Sequence, residues 1–356
     1  MTIRTVTALV ASTALLAACA THDSDVQGVG ATVQARLETP SVGTAGQDAA
    51  DDPAIWATAT PVRIAGVPTR GFVAGTDKKA GLYIYGLDGA VLQFLPEGLL
   101  NNVDLTEGLS VNGRPQVVLG ASDRTPGKTG VALYLFDPAG EGGVRPWGAI
   151  VSDVAEPYGF CFARRGAEVH AVLVGHEGEV RQFVLTADTA GAPLAREVRR
   201  FGIGTISEGC AADEATDALY IAEENVGIWR YRLDPSAGDG RTLVQPVAPG
   251  VLVADAEGLA IIEDGAARYL IGSSQGDSTF PVWRIDGPQA VYSGRFVVEG
   301  GAVDRVTGTD GVDAFGGPVG EAFPEGLVVV QDDVDEARTQ NFKFVDWRDI
   351  RTALGL

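Results

Sequence analysis

Nine acidic residues of this sequence have the chemistry and the placement of a metal site. They fall near the edges of short apolar segments: Asp51, Asp52, Glu208, Glu224, Asp255, Glu257, Asp304, Asp310 and Asp313. If the fold gathers these carboxylates, their charges repel one another, and hard cations would offset that repulsion. Ligands that are all oxygen favour calcium over zinc. The alternative is that about half of them are turn residues or solvated surface, which is common for Asp beside Gly.

A few basic and polar residues stand out against this acidity. Each begins or ends an apolar segment at the same point of a repeat: Lys78, Asn101, Asn102, Arg124, Tyr158 and His176. Metal ions together with Lys and Arg form a phosphate site. The combination therefore indicates phosphate chemistry, although each of these residues taken singly is more often an ordinary surface residue.

Two motifs that would indicate other chemistry do not have the context they need. Residues 272–276, GSSQG, match a nucleophile motif, but the predicted context is strand and no histidine follows His176. Residues 122–129, SDRTPGKT, resemble a phosphate-binding loop, but a strand rather than a helix follows them. The histidines show no zinc spacing. No covalent nucleophile is therefore expected.

A repeat of about 50 residues predicts how these side chains are positioned. Similar steps open apolar strands at Glu107-Gly-Leu, Tyr158-Gly-Phe, Glu208-Gly-Cys, Glu257-Gly-Leu and Glu325-Gly-Leu, and residues 51–56, DDPAIW, resemble a first copy. A later strand recurs in the same rhythm, from LYIYGL at Leu82 to FKFVDW at Phe342. Copies of about four short strands predict an all-β, six-bladed β-propeller in a single domain, with equivalent positions of every blade at one rim.

The N-terminal residues of the chain indicate an exported protein. Residues 1–18 read as a signal peptide, and residues 16–19, LAAC, resemble a lipobox that would anchor Cys19 to a membrane; ordinary cleavage after Ala20 is the alternative. We expect a periplasmic, outer-membrane or secreted protein, with a flexible linker over 19–47 and the propeller over 48–356. The net charge of −20 argues against a nucleic-acid partner. We expect a monomer that acts on a small molecule.

Two cysteines, Cys161 and Cys210, follow the repeat glycines at offsets of two and one residues. They therefore point to opposite faces of neighbouring inner strands, and facing sides of adjacent blades are opposite faces. A disulfide between blades and two buried thiols are both compatible with this placement.

Together these features resemble the β-propeller phytases over about residues 48–350. The resemblance is carried by DDPAIW (51–56), TDKKAGLYIY (76–85), LNNVDL (100–105), ASDR (121–124), YGF (158–160), EGCAADE (208–214), LYIAEENVGIW (219–229), DAEGLAI (255–261), SSQGDS (273–278), TDGVD (309–313) and QNFKFVDW (340–347). It implies a six-bladed propeller that uses several calcium ions to hydrolyse myo-inositol hexakisphosphate (phytate), free or as its calcium salt.

The resemblance also implies a role for each matching residue. Asp51, Glu208, Glu224, Glu257, Asp304 and Asp310 match ligands of the catalytic calcium cluster, with Asp255 as a further candidate. Asp52 matches a neighbouring structural calcium site beside the segment 101–103, whose Asn101 and Asn102 are candidate substrate contacts. Lys78, Arg124 and Tyr158 match phosphate-binding residues, and His176 stands where the family often has lysine.

The mechanism implied is attack of a calcium-activated water on a phosphomonoester, with Glu208 and Glu224 holding the metal while Lys78 and Arg124 offset phosphate charge. Two alternatives are a calcium-dependent propeller of the lactonase or esterase type and a non-catalytic propeller that binds a partner protein. Lys78 and Arg124 argue against both.

Overall fold

The chain folds as the six-bladed β-propeller that the repeat predicts. The computed structural model describes residues 26–333 and 339–356, and in these residues the strands form six sheets. The innermost strands of successive blades contact one another in turn, and the last contacts the first, so the ring is closed. The predicted signal peptide and Cys19 lie outside the described residues. No helix in the described part of the chain is long and apolar enough to cross a membrane.

The strands follow the order of the chain. Two short strands precede the first blade, β1 (Ala31–Gln34) and β2 (Leu37–Glu38). Blade one contains β3 (Ala50–Ile64), β4 (Val67–Asp77), β5 (Gly81–Gly86) and β6 (Val91–Leu95). Blade two contains β7 (Leu100–Val111), β8 (Arg114–Asp123), β9 (Gly130–Phe136) and β10 (Arg145–Val151). Blade three contains β11 (Pro157–Arg165), β12 (Glu168–Gly175), β13 (Glu179–Ala187) and β14 (Pro193–Gly202).

The second half continues in the same way. Blade four contains β15 (Ser207–Asp213), β16 (Ala218–Glu223), β17 (Gly227–Arg232) and β18 (Arg241–Pro246). Blade five contains β19 (Ala256–Asp264), β20 (Ala267–Ser274), β21 (Phe280–Asp286) and β22 (Gln289–Glu299). Blade six contains β23 (Val312–Gly316), β24 (Gly326–Asp332) and β25 (Asn341–Asp346), and the helix α1 (Trp347–Leu354) follows. Short 3-10 turns lie at Glu214–Thr216, Pro235–Ala237 and Gln275–Asp277.

The burial of each strand follows its place in the blade. Second strands such as β12, EVHAVLVG, are buried at nearly every residue because both faces of the sheet pack against neighbouring blades. Outer strands such as β18 are largely exposed. The apolar side chains therefore form clusters between blades, for example Val172 and Val174 of blade three against Leu219 and Ile221 of blade four.

The prediction of a flexible linker over residues 19–47 is wrong for its second half. Strand β2 pairs with β25 and supplies the fourth strand of blade six, and β1 runs parallel to β22 at the edge of blade five. Arg36 pairs with Asp346 at 2.7 Å on the last blade. Unpaired backbone groups at sheet edges require partners, and this polar segment provides them although its composition resembles a linker.

The repeat has a different register in two blades from the one the sequence suggests. Glu107 lies in the second half of β7, where its Oε1 accepts from Trp56 Nε1 at 2.7 Å. Glu325 precedes β24, the second strand of blade six. The equivalent inner positions are Asn101 in blade two and Asp310 in blade six. The Glu-Gly-Leu letters misled because one copy lies at a second bulge inside β7 and the other at the start of a second strand.

Cys161 and Cys210 form a disulfide. It joins β11 to β15, the innermost strands of blades three and four, three residues after Tyr158 and two after Glu208. The structure thus decides between the two states that their spacing allows.

Candidate metal and phosphate site

One ring of side chains arises from a bulge at the start of each inner strand. In blades one to five the pairing register shifts there, which leaves two residues outside the ladder. The first of these two residues, with the corresponding residue before β23, forms what we call the inner ring: Asp51, Asn101, Tyr158, Glu208, Glu257 and Asp310. Bulges re-aim side chains out of a sheet, so distant parts of the chain meet at one end of the channel.

A second ring lies directly after the second strand of each blade. We call it the outer ring: Lys78, Arg124, His176, Glu224, Gln275 and Asp333. Each of these residues donates its backbone N–H to a carbonyl just before the inner strand of its own blade, at 2.7–3.1 Å. The outer ring is basic in blades one to three and acidic or neutral in blades four to six. The site therefore has a cationic side and an anionic side.

Two groups of buried carboxylates share Glu208. Oxygens of Asp51, Glu208 and Asp310 lie within 4.8 Å of one another, and so do those of Glu208, Glu224 and Glu257. Two buried oxygens in these groups, Asp51 Oδ2 and Glu257 Oε2, have no hydrogen-bond partner. Buried anionic oxygens without donors are costly, and a hard cation would satisfy them, so this donor set fits calcium.

Hydrogen bonds hold these carboxylates in place. Asn101 Nδ2 donates to Glu208 Oε1 at 2.7 Å, and the Asn102 amide lies beside the same oxygen. The Tyr158 hydroxyl donates to Glu208 as well. Gln331 Oε1 accepts from the backbone N–H of Asp310 at 2.7 Å. Asparagine and tyrosine thus orient a carboxylate that comes from another blade, whereas Gln331 fixes the backbone of Asp310 within blade six.

Burial raises the pKa of Glu208, Glu257 and Asp310 well above the usual range, and neighbouring carboxylates add to the shift. The negative charge of Glu208 and burial likewise raise the pKa of Tyr158. Without a cation, this group of acids therefore resists ionisation. A divalent ion would reverse that tendency by favouring the carboxylate forms.

The Lys78 ammonium forms ion pairs with three carboxylates of the site. Its Nζ is 2.8 Å from Asp48 Oδ1, 2.9 Å from Asp51 Oδ1 and 3.1 Å from Asp310 Oδ2. Burial alone would lower the pKa of Lys78, but Asp310, Asp51 and Asp48 together raise it well above its usual value. The Lys78 ammonium therefore stays charged although its side chain is buried.

A cavity of about 390 Å³ opens over these groups. Its lining includes the predicted residues Lys78, Tyr158, Glu224, Asp255, Glu257 and Asp310, and it also includes Asp48, Gln275, Gln331 and Asp333. These last four residues were not predicted from the sequence as members of the site. Gln275 and Asp333 follow second strands as Lys78 does, so their repeat position was a usable signal. Nothing in the local sequence marks Asp48 or Gln331.

Arg124 and His176 hold the outer-ring positions of blades two and three, and neither lines the cavity of about 390 Å³. Arg124 Nη1 is 3.6 Å from Glu156 Oε1. His176 packs edge-on against the Tyr158 ring, with centroids 5.1 Å apart, and its Nδ1 is 2.9 Å from Glu177 Oε1. Their outer-ring positions match that of Lys78, as the repeat predicts.

Asp304 differs from the expectation that it joins the same ligand set. Its carboxylate contacts Lys343, a fully buried lysine that also contacts Glu38 and lies 3.0 Å from Asp332 Oδ2. Asp304 belongs to the loop between β22 and β23, and this loop turns toward the N-terminal strand β2 rather than toward Glu208. Its charge is offset by Lys343 instead.

The channel below the inner ring holds a third set of acids. Asp52 Oδ2 accepts from Val103 N at 3.1 Å, consistent with the expected site beside residues 101–103. Asp104 accepts from Phe162 N and Asp313 from Ile55 N, each at 2.7 Å, so each carboxylate bonds to the next blade. These acids line a smaller cavity of about 150 Å³.

This chain is similar to known proteins in sequence and, more distantly, in structure. The family model described as Phytase matches residues 2–356. The 3-phytase of Bacillus subtilis (strain 168) is 33% identical over 335 residues, which cover 91% of this chain and 85% of that protein. Among solved structures, SapL1 lectin in complex with alpha methyl fucoside aligns at a TM-score of 0.48 and 16% identity, covering 79% of this chain and 90% of the lectin. The GH43_1 enzyme from Xanthomonas citri with xylotriose aligns at a TM-score of 0.40 and 12% identity, covering 67% and 85%.

Proposed function

From the finding that this chain belongs to the phytase family, we propose that it is a calcium-dependent 3-phytase, which releases phosphate from myo-inositol hexakisphosphate. One observation carries the calcium requirement: two buried carboxylate groups share Glu208, and two of their oxygens have no hydrogen-bond partner. Several calcium ions in such groups would offset the repulsion that empty carboxylates suffer.

The ligand roles divide between the rings. Asp51, Glu208 and Asp310 would hold one ion, and Glu208, Glu224 and Glu257 a second, with Asp255 at the cavity wall beside them. When bound, calcium supplies a Lewis acid that polarises phosphoryl oxygens and lowers the pKa of a water molecule. Asn101 and Tyr158 keep the Glu208 carboxylate oriented for this task through their hydrogen bonds.

The cationic side of the site would bind the phosphate. Lys78 and Tyr158 face the cavity, and Arg124 and His176 hold equivalent positions in the adjoining blades. The forked guanidinium of Arg124 suits two phosphate oxygens, and the ammonium of Lys78 offsets the charge that develops on them. Among the described residues, the lining includes neither serine nor cysteine, so neither of these two nucleophiles faces the cavity.

The substrate class follows from this division of charge. A polyphosphorylated ring can place one phosphate over the carboxylate groups and another near Arg124 and His176. Family membership favours a phosphomonoester hydrolase over a lactonase or a protein-binding propeller. We also propose export of the protein through the signal peptide at residues 1–18, which lies outside the described residues, and a monomeric state.

Phosphate release from phytate tests the proposal directly. The purified protein is treated with chelator, dialysed, and assayed with calcium, with magnesium and with no metal. We expect activity with calcium, little with magnesium, which requires octahedral geometry and releases water reluctantly, and none without metal. Full activity in the presence of chelator would refute calcium dependence, and no phosphate release under any condition would refute the phytase assignment.

A further inference from the structure

The Lys78 ammonium lies where a metal ion would be expected. Three carboxylate oxygens, one each from Asp48, Asp51 and Asp310, lie within 3.1 Å of its Nζ. Asp51 and Asp310 are also two of the three members of the first carboxylate group. The side chain of Lys78 is only 6% exposed, so this charge is enclosed with its partners. The lysine therefore uses oxygens that a bound calcium ion would require.

We infer that Lys78 is an internal counter-ion which occupies the first calcium position in the metal-free protein, and which calcium must displace. The inference rests on the proposed calcium-dependent function. Calcium binds oxygen at 2.3–2.6 Å. An ammonium ion and a calcium ion sharing Asp51 and Asp310 would lie only a few ångströms apart and repel each other strongly. Each carboxylate has a second oxygen that could hold calcium while Lys78 stays, but the repulsion between the two cations favours release of the lysine.

Asp51 offers a route for this exchange. Lys78 contacts Oδ1 of Asp51, whereas the buried Oδ2 has no hydrogen-bond partner. An incoming ion can therefore first engage Oδ2, together with Glu208, before it competes for the oxygens that Lys78 holds. The four-carbon stem of lysine carries a compact charge that can change direction without movement of the backbone.

The displaced ammonium has a defined destination. Lys78 lines the cavity in which the substrate phosphate is expected to bind. Once calcium holds Asp51 and Asp310, Lys78 loses its contacts with these two carboxylates. Its ammonium can then pair with a phosphate of the substrate. Calcium and phosphate then favour each other's binding, since coupling between two ligands is reciprocal. The same residue serves the empty protein as a counter-ion and the loaded protein as a phosphate ligand.

Lys78→Met tests this inference through binding of calcium alone, measured by titration calorimetry without substrate. Lys79→Met is the matched control because Lys79 is exposed and its replacement removes the same charge. We expect Lys78→Met to bind its tightest calcium at least about tenfold more strongly than Lys79→Met, because the competitor is gone. We also expect it to melt at a lower temperature in chelator, where the counter-ion is missing.

The outcomes separate this inference from the proposed function. If the wild-type protein and both variants fail to bind calcium, the calcium proposal itself is wrong. If all three bind calcium and Lys78→Met binds it no more tightly than Lys79→Met, the displacement inference is overturned while calcium dependence stands.

A measurement on the wild-type protein avoids any failure of the variant to fold. Trace acetylation of lysines, read by mass spectrometry, compares Lys78 with Lys79 in chelator and in calcium. We expect Lys78 to be protected in chelator and several-fold more reactive in calcium, with Lys79 unchanged. Equal protection of Lys78 in both conditions would overturn the displacement.

Discussion

The backbone of Gly159 passes so close to Glu208 that a Cβ atom at residue 159 would lie 1.8 Å from the Glu208 carbonyl oxygen. No real Cβ contact is that short, so only glycine lets β11 approach β15 here. Gly209 has the same relation to the Glu257 carbonyl, with a hypothetical contact of 2.2 Å. In the four blades where glycine follows the inner-ring residue, at Gly159, Gly209, Gly258 and Gly311, the missing side chain thus permits the blades to approach each other.

Gly159→Ala should therefore damage both stability and the site. We expect a loss of about 1–3 kcal/mol, as for overpacked interiors, because β11 must move away from β15. The move displaces Glu208, so calcium affinity should fall as well. Gly202→Ala is the control, since a Cβ there meets nothing within 4 Å, and its stability should change by less than about 0.5 kcal/mol. Equal unfolding midpoints in urea for the two variants would contradict the close contact.

Glu208→Gln should remove most of the activity while leaving the fold intact. Glu208 belongs to both carboxylate groups, so an amide in its place weakens both proposed metal positions. We expect kcat to fall by at least about 100-fold, as when one preorganised charge contact is lost. Glu141→Gln, at a side chain that is 83% exposed, should change nothing. A loss below tenfold with normal calcium binding would remove Glu208 from the catalytic centre.

The disulfide between Cys161 and Cys210 should contribute to stability. It closes a loop across a sequence separation of 49 residues, for which the chain-entropy relation gives about 4 kcal/mol. The comparison is urea unfolding of the oxidised protein with that of the protein unfolded in reductant. Two reactive thiols in the denatured, unreduced protein would show that the bond does not form.

Stability without metal should fall as pH rises through the range in which the channel acids ionise. Burial raises the pKa of Asp104 to about 8, with Asp313 adding to the shift, and burial raises that of Asp313 to about 6. The folded state then retains protons that the unfolded state has released, so the free energy of unfolding declines between about pH 4 and pH 8. Melting temperatures in chelator across this range measure the decline.

Asp104→Asn isolates this effect because it removes the channel carboxyl group whose pKa is raised to about 8. The variant should show a shallower decline of melting temperature with pH than the wild type. Asp239→Asn, at an exposed residue, should follow the wild-type slope. Identical slopes for all three proteins would contradict ionisation of Asp104 as a source of the decline.

His176 should contribute to substrate affinity. It occupies the outer-ring position that Lys78 and Arg124 hold in the first two blades, and its side chain is 29% exposed. An imidazole N–H at this position can donate to a phosphate oxygen, and a hydrogen bond to a charged group contributes about 1.5–3 kcal/mol. We expect His176→Ala to raise KM for phytate about tenfold, and His176→Lys to keep KM close to the wild-type value.

His176→Lys is the matched variant for this prediction, because lysine also donates to phosphate oxygens. If KM for phytate in His176→Ala equals that of the wild-type protein, His176 does not contact phosphate.

The sequence alone was sufficient for the architecture and for the grouping of several candidate site residues. Strands of a propeller repeat with a period that the chain shows directly, and the third strand of every blade was found in register, from Leu82 to Phe342. Because equivalent positions of all blades meet at one end of the channel, the repeat also predicted that Lys78, Tyr158 and Glu208 lie together. The repeat period alone therefore placed the third strands and these inner residues.

Tertiary structure decided what the repeat does not encode. The segment before blade one reads as a linker, and only the open edges of blades five and six make β1 and β2 strands. Asp304 is a residue type that can bind a metal ion, but the position of its loop places its carboxylate against Lys343. Which groups an acidic side chain contacts depends on which blades are neighbours. The first and last blades become neighbours only when the ring of six blades closes. For that reason the Lys78 contacts with Asp51 and Asp310, from the first and last blades, could be seen only in the closed structure.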